Sequence, residues 1–164
     1  MRDAAGAPAP VTVGIVAGEA SGDALAATLI EAVRARAPHV RFAGIAGPKM
    51  VAAGCEAWVP TEKLAVRGFV EVLRHLPALV AIRREVAARM LAERVPLFVG
   101  ADAPDFNLGL ERRLKARGVR TIHFVSPSVW AWRRERLTTI GRAVDRMLAL
   151  FPFEPPLYEE AGIP

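Results

Sequence analysis

Short apolar runs alternate with amphipathic stretches from residue 11 to the end of the chain. Val11 to Ala17 is rich in β-branched residues and reads as a strand buried on both faces. Comparable runs cover 40–45, 96–101, 120–125 and 144–150, with a shorter one at 56–59. Leu25, Leu29 and Val33 recur at helical spacing before Pro38, and Gly47-Pro48 opens a short helix that reaches Gly54. Leu110 and Leu114 mark another helix, ended by Gly118. Arg133-Arg134-Glu135-Arg136 opens a basic helix that carries Leu137 and Ile140 inward, and a last short helix is expected near Tyr158. Strands alternating with helices predict an α/β fold: a doubly wound, mostly parallel, Rossmann-like sheet of six strands.

The clearest amphipathic segment is 66–76. Val66, Phe69, Val70, Leu73 and Leu76 share one helical face; Arg67, Glu71, Arg74 and His75 share the other. Pro77 is expected to break or kink this helix, and Leu79, Ile82, Val86 and Met90 continue an apolar stripe beyond it. A core-facing helix pair is the ordinary meaning of such a pattern; a hydrophobic lip that contacts lipid is the functional one.

Composition narrows the class. At 164 residues with 52% apolar residues, the chain has the material for one folded domain, read as 11–164 behind a flexible tail at 1–10. The tail has no apolar run of the signal-peptide kind, and no stretch reaches membrane-spanning length, so a cytoplasmic protein is expected. The net charge of +5 favours anionic partners, although a solvated arginine-rich surface has the same composition. A single cysteine, Cys55, excludes an internal disulfide and a cysteine-cluster metal site.

Three polar loops follow strands, and a doubly wound sheet brings such loops to one edge, where ligands bind. The first is Gly18-Glu19-Ala20-Ser21-Gly22-Asp23, with Ser21 as a helix N-cap and Asp23 at the positive end of the helix dipole. It lacks both the dinucleotide fingerprint and the Walker A pattern, which disfavours a nucleotide-dependent oxidoreductase. The second is Asp102-Ala103-Pro104-Asp105-Phe106-Asn107. Asp105 or Asn107 suits the cap of the next helix, which is expected to begin near Leu108, while Asp102 itself reads either as a capping residue or as a catalytic carboxylate. The third, Ser126-Pro127-Ser128-Val129-Trp130-Ala131-Trp132, carries two indoles that stack readily on ligands or plug an edge.

These motifs resemble the lipid-A-disaccharide synthases. The resemblance rests on 16–23, Ala46-Gly47-Pro48, Leu64-Ala65-Val66 with Gly68, 102–107, 125–133 and Phe151-Pro152-Phe153-Glu154, and runs from about Val11 to Pro164. Arg67 and Leu97 depart from the family pattern.

The resemblance implies the N-terminal half of a two-Rossmann-domain (GT-B) inverting glycosyltransferase that joins UDP-2,3-diacylglucosamine to 2,3-diacylglucosamine 1-phosphate (lipid X). It implies neither cofactor nor metal, no nucleic acid, and a peripheral position on the cytoplasmic face of the inner membrane, whose anionic surface is a partner. The donor-binding C-terminal domain is expected to be absent, supplied by a complementary half or second chain. Asp102 matches the family's catalytic aspartate. Gly18, Glu19, Ser21, Gly22, Asp23, Asp105, Asn107, Ser126, Ser128 and Trp130 are the implied substrate-binding set, with Val66, Phe69, Val70, Leu73 and Leu76 as the acyl-chain lip. A non-catalytic lipid- or partner-binding module is the alternative.

Overall fold

The computed structural model describes residues 10–64, 69–127 and 136–164, the side chains of 69–75 excepted. Its elements are β1 (Val11–Ala17), α1 (Ala20–Arg36), β2 (Val40–Ala46), α2 (Pro48–Ala52), β3 (Cys55–Pro60), α3 (Phe69–Ala92), β4 (Leu97–Ala101), α4 (Pro104–Lys115), β5 (Arg120–Phe124), α5 (Arg136–Ala143), β6 (Arg146–Leu148) and α6 (Pro155–Glu160). The strands form one sheet in the order β3-β2-β1-β4-β5-β6. Every pairing is parallel. Strand order reverses between β1 and β4, which defines the switch point of a doubly wound sheet.

The period-two alternation of each strand builds two cores at once. Val13, Ile15 and Ala17 of β1 join Phe42, Ala46, Val99 and Ala101 under α1 and α2. Val16, Ile45 and Phe98, on the opposite sheet face, pack with Val86, Met90, Leu110 and Leu114 of α3 and α4. A third cluster, Ile140, Val144, Met147, Tyr158 and Ile163, closes the β6 end.

Several expectations change in detail. The face α1 buries most fully is Gly22, Asp23, Ala26, Ala27 and Ile30, with Leu29 and Val33 only at its margin. Small residues there let the helix lie close to the sheet, so size outweighs hydrophobicity. Pro77 lies inside α3 and does not break it. It is on the exposed side of the helix, where a carbonyl left without its intrahelical donor can turn to water. Of the stripe beyond it, Val86 and Met90 are core and Ile82 packs against that core. From Ile82 onward the stripe is therefore internal, with Leu79 half-buried, and among the described side chains of this helix the exposed large apolar ones are Leu76 and Val80. Of the expected lip, Val66 and the side chains of Phe69, Val70 and Leu73 lie outside what is described.

Cys55 is buried, as a small core residue should be, and burial followed by the nearby Glu56 pushes its thiol up to about 12.

Candidate functional site

The sheet's carboxyl edge at the switch point is built from the ends of β1 and β4. Asp102 is the first residue past β4, yet its amide still donates to the Phe124 carbonyl at 2.9 Å. The ladder thus fixes its backbone. Asp102 and Ala103 then both adopt left-handed conformations, with φ of 56° and 44°. Such conformations cost non-glycine residues roughly 1–2 kcal/mol each, more readily borne by Asp than by Ala. Val125, at the end of the neighbouring strand, has φ of 78°, a further strained position on the same edge. This backbone turns the chain abruptly into α4, whose N-cap is Ala103, with no side-chain cap. The cap expected from Asp105 or Asn107 is absent because the helix begins at Pro104, so both residues lie within its first turn.

Asn107 supports the turn from below. Fully buried, its Nδ2 donates to the Asp102 carbonyl at 2.8 Å and reaches those of Val16 and Ala101 at 3.3 and 3.4 Å. One side chain so ties the ends of β1 and β4 together. From above, Ser21 Oγ donates to Asp102 Oδ2 at 3.2 Å, whereas Oδ1 accepts no hydrogen bond among the described residues. Ser21 is free to do this because it is not the expected N-cap: α1 begins earlier, with Glu19 at that position and no side-chain cap. Glu19 and Ser21 are exposed at the mouth.

The two loops press together through glycine. A Cβ on Gly18 would lie 2.3 Å from that of Ala103, and one on Gly22 would lie 3.1 Å from the Ala101 carbonyl oxygen and 3.3 Å from the Asp102 Cβ. No larger residue fits at Gly18 while Ala103 keeps its place.

Asp23 lies in the first turn of α1, as expected, but its carboxylate is turned to another helix. It is 4% exposed, and its Oδ2 and Oδ1 accept from the amides of Lys49 and Met50, each at 3.0 Å. A carboxylate from α1 thereby caps α2 across the sheet edge, where the first turn of α2 has no acid of its own. Asp23 braces the site and does not face its mouth. Asp105 points outward, with its side chain 87% exposed and paired to Arg136 at 2.9 Å, a contact worth little in water. Ser126 Oγ is 2.6 Å from the buried Tyr158 hydroxyl, which anchors the third loop to α6. Ser128 and Trp130 lie outside the described residues. Phe151 and Phe153, beyond β6, are exposed and stack at 5.5 Å.

Sequence reasoning missed a buried polar pair behind Asp102. Glu111, one turn beyond Asn107 on α4, approaches His123 Nδ1 of β5 at 2.7 Å, and both side chains are fully buried. Room for this carboxylate comes from Gly100, where a Cβ would lie 2.2 Å from Glu111 Oε1. Burial raises the Glu111 pKa above its ordinary 4.5, and the hydrogen bond and charge of His123 act in the opposite direction. A raised folded-state value has a definite sign. The neutral acid's contribution to stability is fully present below the unfolded value and is lost as pH rises through the folded one. Relative to Glu111→Gln, which does not titrate, the native chain is therefore expected to lose stability progressively above pH 4.5. Urea unfolding of both proteins across that range measures the difference, and a constant gap would refute it.

Among the described residues, no helix is long and apolar enough to cross a membrane. The model of the family described as lipid-A-disaccharide synthetase matches residues 13–164. The chain is 59% identical over 152 residues to the lipid-A-disaccharide synthase of Methylobacillus flagellatus, covering 93% of this chain and 40% of that protein. It is 60% identical over 152 residues to that of Chromobacterium violaceum, covering 93% and 39%. Against that of Yersinia pestis it is 55% identical over 155 residues, covering 94% and 39%. The chain thus spans about 40% of the length of the relatives it matches. Its fold is similar to that of the crystal structure of Acinetobacter baumannii MurG, at a TM-score of 0.54 and 12% identity, over 88% of this chain and 42% of that one. With its sequence matched almost end to end, and with the loops at 18–23 and 102–107 gathered at one sheet edge, the chain belongs to the lipid-A-disaccharide synthetase family.

Proposed function

We propose that this chain is the acceptor-side part of a lipid-A-disaccharide synthase, and that Asp102 is its catalytic base. The observation that carries this reading is the carboxylate itself. Asp102 stands at the switch point on a strained turn, with Oδ2 held by Ser21 and Oδ1 accepting no hydrogen bond among the described residues. Strain of this kind persists where surrounding structure imposes it, and it clusters at functional sites. In the reaction the resemblance implies, the 6′-hydroxyl of lipid X attacks the anomeric carbon of UDP-2,3-diacylglucosamine. The new C–O bond forms as the bond to UDP breaks, and Asp102 takes the hydroxyl proton. Its negative charge also favours the oxocarbenium character that develops on the donor sugar.

Gly18 and Gly22 set the depth of the acceptor pocket, while Glu19 and Ser21 offer polar contacts at its rim. Ser128 and Trp130 belong to the same pocket by the family motif. Asn107 and Asp23 act as supports that hold the two loops, and Asp105 lies at the outer edge. The remaining length of the relatives supplies the donor-binding part, and the exposed Phe151–Phe153 pair suits contact with it. The complete enzyme works as a peripheral protein on the cytoplasmic face of the inner membrane.

The test is an amide NMR titration of the 164-residue chain with lipid X in mixed micelles. Resonances of 18–22 and 102–107 are expected to shift, with no transfer when the UDP-sugar is added. Unchanged resonances in both loops would overturn the acceptor-side assignment.

A further inference from the structure

We propose that the groove between α3 and α4 is a binding site for the phosphate of a membrane lipid. The inference rests on the reading above that this chain meets lipid, but not on its transfer chemistry. The groove, of about 540 Å³, is lined by Arg83 and Arg84 from α3 and by Arg112 and Arg113 from α4, with Val80 and Gly109 among its other residues. Among the described residues none of these four guanidinium groups is in an ion pair; the ion pairs present involve Arg89, Lys115, His123 and Arg136. Four cations around one concavity repel one another, and an anion placed between them removes that cost.

Arg83 is the fixed member. Its guanidinium lies 4.9 Å from the centre of the Phe106 ring, a cation–π distance. Its Nη2 donates to the Asp105 carbonyl at 3.0 Å, and its Nε is buried without a partner among the described residues. Gly109 makes the space: a Cβ there would lie 2.6 Å from Arg83 Nη1. The guanidinium thus lies across α4, held by the aromatic ring and the carbonyl. A planar fork held in this way can donate in parallel to two oxygens of a phosphate and loses little entropy on binding.

The neighbouring surface decides for a lipid phosphate. Leu76 and Val80 of α3 are 44% and 38% exposed. They precede Arg83 and Arg84 by helical steps of three, four, seven and eight, so one face of α3 runs from apolar to cationic. At 1.5 Å per residue, Leu76 and Arg84 are about 12 Å apart along the helix axis. That sequence is the shape of an amphiphile: acyl chain along Leu76 and Val80, phosphate among the arginines.

The experiment is sedimentation of the 164-residue chain with phosphatidylcholine vesicles doped with phosphatidic acid. Arg112→Gln with Arg113→Gln is expected to weaken binding about tenfold or more. Arg36→Gln with Arg41→Gln removes equal charge from the end of α1 and from β2, and is expected to weaken it no more than about twofold. Equal losses in the two pairs would overturn the groove in favour of diffuse attraction. Arg112→Lys with Arg113→Lys keeps the charge but not the two α4 guanidinium forks, while that of Arg83 stays. It is expected to fall between the native chain and the glutamine pair, and it reads the site if the glutamine pair does not fold by circular dichroism. Native-level binding by the lysine pair would overturn two-point contact by Arg112 and Arg113 and leave them as point charges. A native chain that ignores these vesicles would overturn both the groove and the peripheral-membrane reading, whereas the lipid X titration reports separately on the acceptor pocket. Saturation of the groove's amide resonances by submillimolar inorganic phosphate would reassign it to soluble phosphate compounds and overturn the lipid assignment.

Discussion

Asp102→Asn, in an enzyme of the relatives' full length that carries this chain, is expected to lower the transfer rate by about 10²–10⁴-fold, the usual worth of a general base. The substitution isolates chemistry from architecture. Asn tolerates the left-handed backbone as well as Asp does, so the turn at φ of 56° survives. Its amide oxygen still accepts from Ser21, and its carbonyl still meets Asn107. What disappears is the ability to take a proton. UDP release at saturating lipid X measures the loss, with KM for the acceptor little changed and the thermal midpoint kept. Turnover within a few-fold of the native enzyme would remove Asp102 from the mechanism.

Gly44→Ala is the structural counterpart. Gly44 has φ of +152°, beside a register shift between Gly44 and Ile45 in the β2–β3 pairing. A Cβ there would lie 2.0 Å from the Ile15 carbonyl oxygen and 3.0 Å from its carbon. Ile15 is main chain at the centre of the sheet, so no side-chain rotation relieves the overlap. Separation of β1 from β2, or rearrangement of the bulge, is expected to cost about 3 kcal/mol or more. That is a large share of the roughly 5–15 kcal/mol by which domains are stable. A shift of the urea midpoint measures it, and an unchanged midpoint would mean that the strands can give way.

The sheet was legible because strands buried on both faces carry no charged residue and few polar ones, as residues 13–17 and 96–101 show. Their alternation with helices fixes parallel pairing, and the loops at 18–23 and 102–107 fall on one edge as a consequence. Helix starts were less legible. Ser21 and Asn107 have the chemistry of caps, yet the chain uses both to tie β1 to β4, because tertiary partners compete with local ones for the same side-chain atoms. Asp23 escaped for the same reason: the helix it caps begins 25 residues later in sequence, and nothing local announces it. The Glu111–His123 pair was hidden by polarity, since charged residues are read as outward-facing. A signal was present: Glu111 is adjacent to Leu110 and one turn beyond Asn107, and His123 alternates with Thr121, also fully buried. Pro77 misled because the penalty for proline inside a helix depends on which side of the helix meets water.

The order of the strands gives the domain a seam. β1 to β3 come from residues 11–60 and β4 to β6 from residues 97–148, so each half of the sheet is contiguous in sequence and the halves join along β1 and β4. The pocket proposed here opens at the end of that join, with Glu19 and Ser21 contributed by one half and Asp102 by the other. An acceptor held by both loops therefore works as a cross-link. Its binding energy adds to the cohesion of the whole sheet, by an amount that grows with the logarithm of its free concentration. In the cell, the supply of acceptor would then set the lifetime of the folded domain as well as its occupancy, and an enzyme starved of substrate would be the one most open to proteolysis.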